Sequence, residues 1–278
     1  MTVCIAAICE KGKSIVVAAD RMFTSPPPVN IEFESDESKI EHFLDGIVVL
    51  PSGNTAIVTE ILDAAKEKMS GKATTMSEVG ELIRTGYETI RARKAEENVA
   101  IPMVGSDFIT ARASGRTLPD YLELQGGIYQ GIVAQSFQFN LGTELLLAGI
   151  DRNGSRIAAI THPGSIFWLD KLGYGATGSG AIHAVSSLNL CGQSRSHDLF
   201  ITLYAVYSAK RAAEVAPGVG GNFTDLAVLA TTKEGKKEVR ECGESVMTEL
   251  RKLWEIQKAT APHDLMALKD AYENENDP

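Results

Sequence analysis

Thr2 follows Met1 and leads directly into the apolar run Val3-Cys4-Ile5-Ala6-Ala7-Ile8, which sets a hydroxyl at the mouth of a predicted strand. The small second side chain favours removal of Met1. The residue left behind would carry both a hydroxyl and a free α-amine, and that amine can take the hydroxyl's own proton. One residue then supplies nucleophile and base. A second chemical group stands at the end of Ser14-Ile15-Val16-Val17-Ala18-Ala19-Asp20-Arg21, where a β-branched run stops at a carboxylate. The two runs flank Glu10-Lys11-Gly12-Lys13 and read as a hairpin in which Gly12 allows the turn. Their pairing brings Asp20 into the sheet of Thr2. A third group, Lys39, precedes another predicted hairpin, Ile40 to Leu44 and Gly46 to Leu50, with Asp45-Gly46 at its turn. A Lys beside a hydroxyl lowers the proton affinity of that hydroxyl, and a carboxylate keeps the ammonium charged and oriented. The competing reading of Asp20 and Lys39 is a surface ion pair.

Further tags occur at Ser52-Gly53, Leu147-Ala148-Gly149-Ile150-Asp151 and Thr177-Gly178-Ser179-Gly180. Together with Thr2-Val3-Cys4-Ile5, Val17-Ala18-Ala19-Asp20-Arg21 and Lys39-Ile40, the chain resembles the proteasome β-type branch of the N-terminal-nucleophile (Ntn) hydrolases. It is most similar to bacterial proteasome-like proteins whose mature chain starts at a threonine after Met. The resemblance covers the chain from its start to about residue 231. It implies Thr2 as nucleophile, Asp20 and Lys39 as electrostatic support, Ser179 as neighbour of the α-amine, and the Gly53 N–H as oxyanion hole. That last role has its own motive, because glycine lets a ligand approach the backbone closely and a fixed N–H suits a developing negative charge. Ser179 also reads as a helix N-cap. In the same register Pro51 and Thr55 flank a first specificity pocket for modest apolar side chains.

Three departures from the family pattern are visible. The Glu10–Ser14 loop is about two residues longer and the usual run of threonines is reduced to one. The late Asp and Ser of the family meet Glu214-Val215-Ala216-Pro217-Gly218-Val219-Gly220-Gly221, in which only Glu214 offers a substitute. Residues from about 95 to 140 exceed the corresponding stretch of a standard subunit.

The elements that must position these residues follow from periodicity. Asn54 to Met69 and Thr75 to Glu97 carry helical apolar faces, Ile57, Ile61, Leu62 and Ala65 and then Val79, Leu82, Ile83, Tyr87 and Ile90. Strands return at Glu144 to Ile150, Ile157 to Ile160 and Ser165 to Leu169, parted by Asn153-Gly154 and Pro163-Gly164. Helices over about 180–190 and 196–215 precede strands Leu226 to Thr231 and Lys237 to Cys242. This order predicts an α+β fold, a four-layer αββα sandwich with a helical insertion. The expected domain is 1–243, with the insertion at about 95–140, followed by a C-terminal helical extension and frayed acidic end over 244–278.

Composition bounds the function. The chain has 278 residues, 44% of them hydrophobic, enough for one large core. Lys and Arg number 27 against 36 Asp and Glu, a net charge of −9 that argues against a nucleic-acid partner and steers strongly acidic substrates poorly. Cys4, Cys9, Cys191 and Cys242 are scattered without a CxxC pair, so neither a zinc site nor a disulfide framework is expected, and a reducing cytoplasm fits. His42, His162, His183, His197 and His263 have no metal-ligand spacing. Gly173-Tyr174-Gly175-Ala176-Thr177-Gly178 satisfies the dinucleotide pattern, yet antiparallel-style hairpins precede it where a Rossmann unit needs an early βαβ. No signal peptide or membrane-length apolar run is found, and no self-processing beyond Met removal is expected.

The expectation is a cytoplasmic N-terminal-threonine hydrolase that cleaves peptide bonds without cofactor or metal. The resemblance adds homo-oligomerisation in a ring or stack and leaves room for an unknown ATPase partner. A non-catalytic assembly subunit and a small-molecule amidase or acylase on the same fold are the alternatives.

Overall fold

Strands form at the chain start because small and β-branched side chains there can be covered on both faces. The computed structural model describes residues 2–24, 31–69, 75–104, 128–232 and 234–259. In chain order the strands are β1 (Cys4–Cys9), β2 (Ser14–Asp20), β3 (Met22–Thr24), β4 (Glu32–Glu34), β5 (Glu41–Leu44), β6 (Ile47–Gly53), β7 (Thr143–Asp151), β8 (Gly154–Thr161), β9 (Ser165–Trp168), β10 (Tyr174–Thr177), β11 (Thr224–Thr231) and β12 (Lys237–Glu241). The helices are α1 (Thr55–Glu67), α2 (Met76–Ala95), α3 (Ile101–Val104), α4 (Ile128–Gln138), α5 (Ala181–Leu190), α6 (Leu199–Ala213) and α7 (Glu244–Ala259). A wide helical turn, Glu96–Ala100, joins α2 to α3.

One antiparallel sheet has the order β10-β1-β2-β11-β12 and a second has the order β5-β6-β7-β8-β9. Every position of β1 and β2 is buried. Cys4, Ala6, Ile8, Ile15, Val17 and Ala19 face Val48, Leu50, Leu146, Ala148 and Ile150 of the second sheet, forming a core between the two. Helices α5 and α6 pack against β1 on its other side. Helices α1 and α2 cover the second sheet, where Val58, Ile61, Leu62, Val79, Ile83 and Tyr87 join Val49, Leu145, Leu147, Ala158 and Ile160. Each fully buried Ile or Leu contributes about 2 kcal/mol, so these apolar layers hold the sheets in register. The architecture is α+β with antiparallel sheets.

The β1–β2 connection is wider than a tight hairpin. Glu10 and Lys11 adopt φ of 50° and 60° ahead of Gly12 at 86°. Their N–H groups donate to the carbonyls of His197 and Arg195 at 2.8 and 2.6 Å, so contacts from the segment between α5 and α6 hold a conformation that Gly12 alone does not. Helix starts follow their caps. Asn54 accepts the Ala56 N–H at 3.1 Å, and Thr75 forms a capping box with Glu78. Of the long predicted insertion, residues 105–127 lie outside the described residues, as do 260–278 of the C-terminal stretch. The chain divides into two compact units, Met1–Glu241 and Cys242–Pro278, the second contributing α7. Among the described residues no helix is long and apolar enough to cross a membrane.

Two stability outcomes follow from this packing. Thr75→Ala removes the hydroxyl that accepts the Glu78 N–H, leaving only the backbone N–H of residue 75 bonded to the Glu78 carboxylate, and is expected to cost about 1 kcal/mol in urea unfolding, whereas an unchanged midpoint would show that the cap is dispensable. Burial pushes the Cys4 and Cys9 thiols from the ordinary 9.0 up to about 12, with nearby carboxylates adding to the effect. Between those values the unfolded thiol ionises while the folded one keeps its proton, so the folded state binds more protons and stability falls as pH rises. Each thiol contributes a slope of about 1 kcal/mol per pH unit above 9.0. The Cys4→Ala, Cys9→Ala double variant should therefore lose stability less steeply than wild type on the alkaline side of that value, and parallel curves would refute the assignment.

Candidate active site

Backbone geometry builds the floor of the site. Thr2 precedes β1, and its carbonyl accepts the Gly180 N–H at 3.2 Å and the Ser179 hydroxyl at 3.4 Å. The backbone nitrogen of Thr2 donates to Ser179 Oγ at 3.2 Å. Gly178 makes this approach feasible: its φ is +89°, and a Cβ there would lie 2.3 Å from the Thr2 carbonyl oxygen.

Asp20 closes β2 and is fully buried. Its Oδ2 accepts N–H groups from Val3 at 3.3 Å and Gly220 at 3.0 Å. Its Oδ1 accepts Lys39 Nζ at 2.7 Å and the Thr2 hydroxyl. Lys39, 3% exposed just ahead of β5, also donates to Thr2 Oγ1. Its Nζ stands 5.2 Å from the centre of the Phe23 ring, a cation–π contact. A buried ion pair needs this many partners, because removing one would strand a charge in the interior. The surface-pair reading of Asp20 and Lys39 does not hold.

Thr2 opens into a cavity of about 400 Å³ walled by Ser52, Gly53, Asn140, Thr143, Glu144, His162, Gly178 and Ser179. Gly53 ends β6 with φ of +97°, against the Gly142 carbonyl where a Cβ would overlap at 1.9 Å. The structure thus brings together Thr2, Asp20, Lys39, Ser179 and Gly53. Pro51 and Thr55 are not on this wall. Strand alternation is the reason: Ser52 shares the cleft face of β6 with Leu50 and Val48, which turns Pro51 to the helix-covered face with Val49. Thr55 is already the first residue of α1. The wall side chains are hydroxyl, amide, carboxylate and imidazole groups whose carbon atoms still make up more than half of the exposed lining, and Pro51 and Thr55 are not among them.

Cys4 lies beside the site and donates its thiol to the Pro51 carbonyl at 3.2 Å. With its proton held to about 12 by burial it offers no competing thiolate.

Three contributors are absent from the sequence-level set. Glu144 continues the cleft face of β7 beyond Leu146, Ala148 and Ile150 and accepts the Gly178 N–H at 3.0 Å. His162 reaches the wall from the β8–β9 turn, and burial, followed by Arg91, holds its pKa below the ordinary value. Lys210 is fully buried on α6, donating to Glu214 at 2.7 Å and to the Gly220 carbonyl at 2.8 Å. Burial lowers its pKa against the opposing pull of Glu214. Gly220 in turn donates to Asp20, so Lys210 fixes the loop that caps the carboxylate. Its signal was available, since Lys210 follows Leu203 and Val206 at helical spacing on an otherwise apolar face. Glu214 is tied to Lys210 and Arg211, at 2.7 and 3.0 Å, and so serves this loop.

A scan against protein-family models finds no match to this chain, and a search of curated proteins returns no significant match.

A hydroxyl flanked by a buried cation and carboxylate, with a backbone nitrogen beside a serine and a glycine-lined cavity in front, is suited to nucleophilic attack on a carbonyl. Lys210→Met should cost about 3 kcal/mol in urea unfolding, because it leaves Glu214 short of a cation and the Gly220 carbonyl unpaired. A loss below about 1 kcal/mol would mean the loop holds itself without the ion pair.

Proposed function

We propose that this chain is a proteasome-like N-terminal-threonine hydrolase that cleaves peptide bonds through an acyl-enzyme at Thr2 after Met1 removal. One observation carries the reading. The Thr2 hydroxyl is bonded by the buried Lys39–Asp20 pair while its own backbone nitrogen sits 3.2 Å from Ser179 Oγ. Two five-stranded sheets around a shared core, each with a pair of helices against it, support the four-layer αββα arrangement of the Ntn hydrolases.

In the proposed cycle the freed α-amine of Thr2 takes the hydroxyl proton, and Oγ1 attacks the substrate carbonyl carbon. Lys39 lowers the proton affinity of that oxygen, and Asp20 orients Lys39. The Gly53 N–H receives the oxyanion. Collapse breaks the carbon–nitrogen bond, and the Thr2 ammonium returns the proton to the departing amine, leaving an ester on Oγ1. Water then attacks the ester with the same amine as base, releasing the carboxylic acid and restoring Thr2. One amide and one water become one acid and one amine.

Homo-oligomerisation belongs to the same reading. Ile182 and Leu190 on α5 and Phe200 and Ile201 on α6 are exposed, and exposed large apolar side chains on these two helices suit contact with further copies. The cavity of about 400 Å³ also favours a second reading, a small-molecule amidase or acylase, since its size matches a small acylated amine.

Intact-mass spectrometry before and after incubation with a threonine-directed epoxyketone tests the mechanism, because ring closure of the adduct uses both the hydroxyl and a free α-amine. The expected result is loss of Met1 and a single adduct at Thr2, absent in Thr2→Ala and lost in Lys39→Met. Retained Met1 without an adduct would overturn the mechanism in favour of a non-catalytic assembly subunit. Turnover of peptides against short acylated amines then separates the two hydrolase readings.

A further inference from the structure

Along β7 the face that looks into the core between the sheets changes from apolar to acidic at its open end. Ile150, Ala148 and Leu146 lie in that core, and Glu144 is the next residue on the same face. One carboxylate oxygen, Oε2, accepts the Gly178 N–H at 3.0 Å. The other accepts no hydrogen bond from the described residues. Glu144 shares the wall of the cavity of about 400 Å³ with Thr2.

Among the described residues no other side chain on that wall is a lysine, arginine or carboxylate, and the α-amine that Met1 removal frees on Thr2 is directed to Ser179 Oγ. Burial first and Arg91 second lower the pKa of His162 and so disfavour its charged form. Among the described residues the remaining wall is hydroxyl, amide and glycine, with no Leu, Ile, Val or Phe side chain. An apolar group reaching Glu144 would strip water from its second carboxylate oxygen without replacing the hydrogen bonds, and an acidic group would meet a like charge. A cation reaching the free carboxylate oxygen meets neither obstacle.

We propose, resting on the Thr2 hydrolase reading, that this cavity is a cation-selective subsite in which Glu144 receives the ammonium or guanidinium of a lysine- or arginine-like substrate side chain. Glu144 selects the substrate held against Thr2, and the Gly178 N–H keeps its carboxylate aimed. A charge-assisted hydrogen bond of this kind changes affinity on the order of tenfold or more.

Calorimetric titration of the full chain with Nα-acetyl-arginine amide and Nα-acetyl-norleucine amide tests binding, and fluorogenic peptide amides bearing the same two side chains test turnover. The expected preference for arginine is about tenfold in wild type and falls to near unity in Glu144→Gln, whose amide oxygen can still accept the Gly178 N–H. The wild-type ratio needs no variant, and equal affinities for the two compounds overturn the subsite. An arginine preference unchanged in Glu144→Gln also overturns it. A uniform fall in turnover for both side chains, with the ratio intact, assigns Glu144 to Thr2 and overturns it as well. Arginine-selective binding that depends on Glu144, without turnover or a Thr2 adduct, supports the subsite and refutes the hydrolase reading alone.

Discussion

The buried pair between Lys39 and Asp20, joined to the hydroxyl of Thr2, is the constraint around which the rest of the site is arranged. Two charges in an apolar interior are tolerated only when every remaining donor and acceptor finds a partner. Asp20 meets that demand with N–H groups from Val3 and Gly220 in addition to Lys39, and Lys39 meets it with Thr2 and the face of Phe23. The site therefore depends on three distant segments, the chain start, the approach to β5 and the loop after α6. Each must be placed before the pair is affordable.

A second buried cation secures the last of these segments. Lys210 on α6 has no exposed surface and holds the Gly220 carbonyl, while Glu214 balances its charge. One residue thus links two ion pairs: the Gly220 carbonyl accepts from Lys210 and the Gly220 N–H donates to Asp20. This explains why Glu214 stands where a late acidic residue was anticipated without touching Thr2. Its work is one step removed from the hydroxyl, in holding the loop that holds Asp20.

The cavity follows from strand alternation. Between the sheets, β6 and β7 present Val48 and Leu50, and Leu146, Ala148 and Ile150, as a dry interface. One position further on each strand the side chains are Ser52 and Glu144, and the interface opens into the cavity beside Thr2. Core and cleft are one surface whose chemistry changes at a single register step. The left-handed backbone of Gly53 and Gly178 completes that change by letting β6 and the segment before α5 approach Gly142 and Thr2 without a side chain between them.

Much of this was legible locally. Continuous apolar and β-branched runs parted by turn residues placed the strands, helical apolar spacing placed α1 and α2, and position at the strand ends singled out Thr2, Asp20 and Lys39. These signals are local because burial of a strand or helix face is decided by neighbouring residues. What the tertiary structure decided is which polar residues converge. The face of β6 that meets the cleft excluded Pro51 in favour of Ser52, since register is set by pairing with β7. Glu144 and His162 became wall residues only when β7 and the β8–β9 turn were laid beside Thr2, and Lys210 became part of the site only through a backbone carbonyl. Contacts between segments far apart in the chain leave no periodic trace in it, so the sequence by itself named Thr2, Asp20, Lys39, Ser179 and Gly53 as candidates, and packing of the two sheets chose the further side chains that stand beside them.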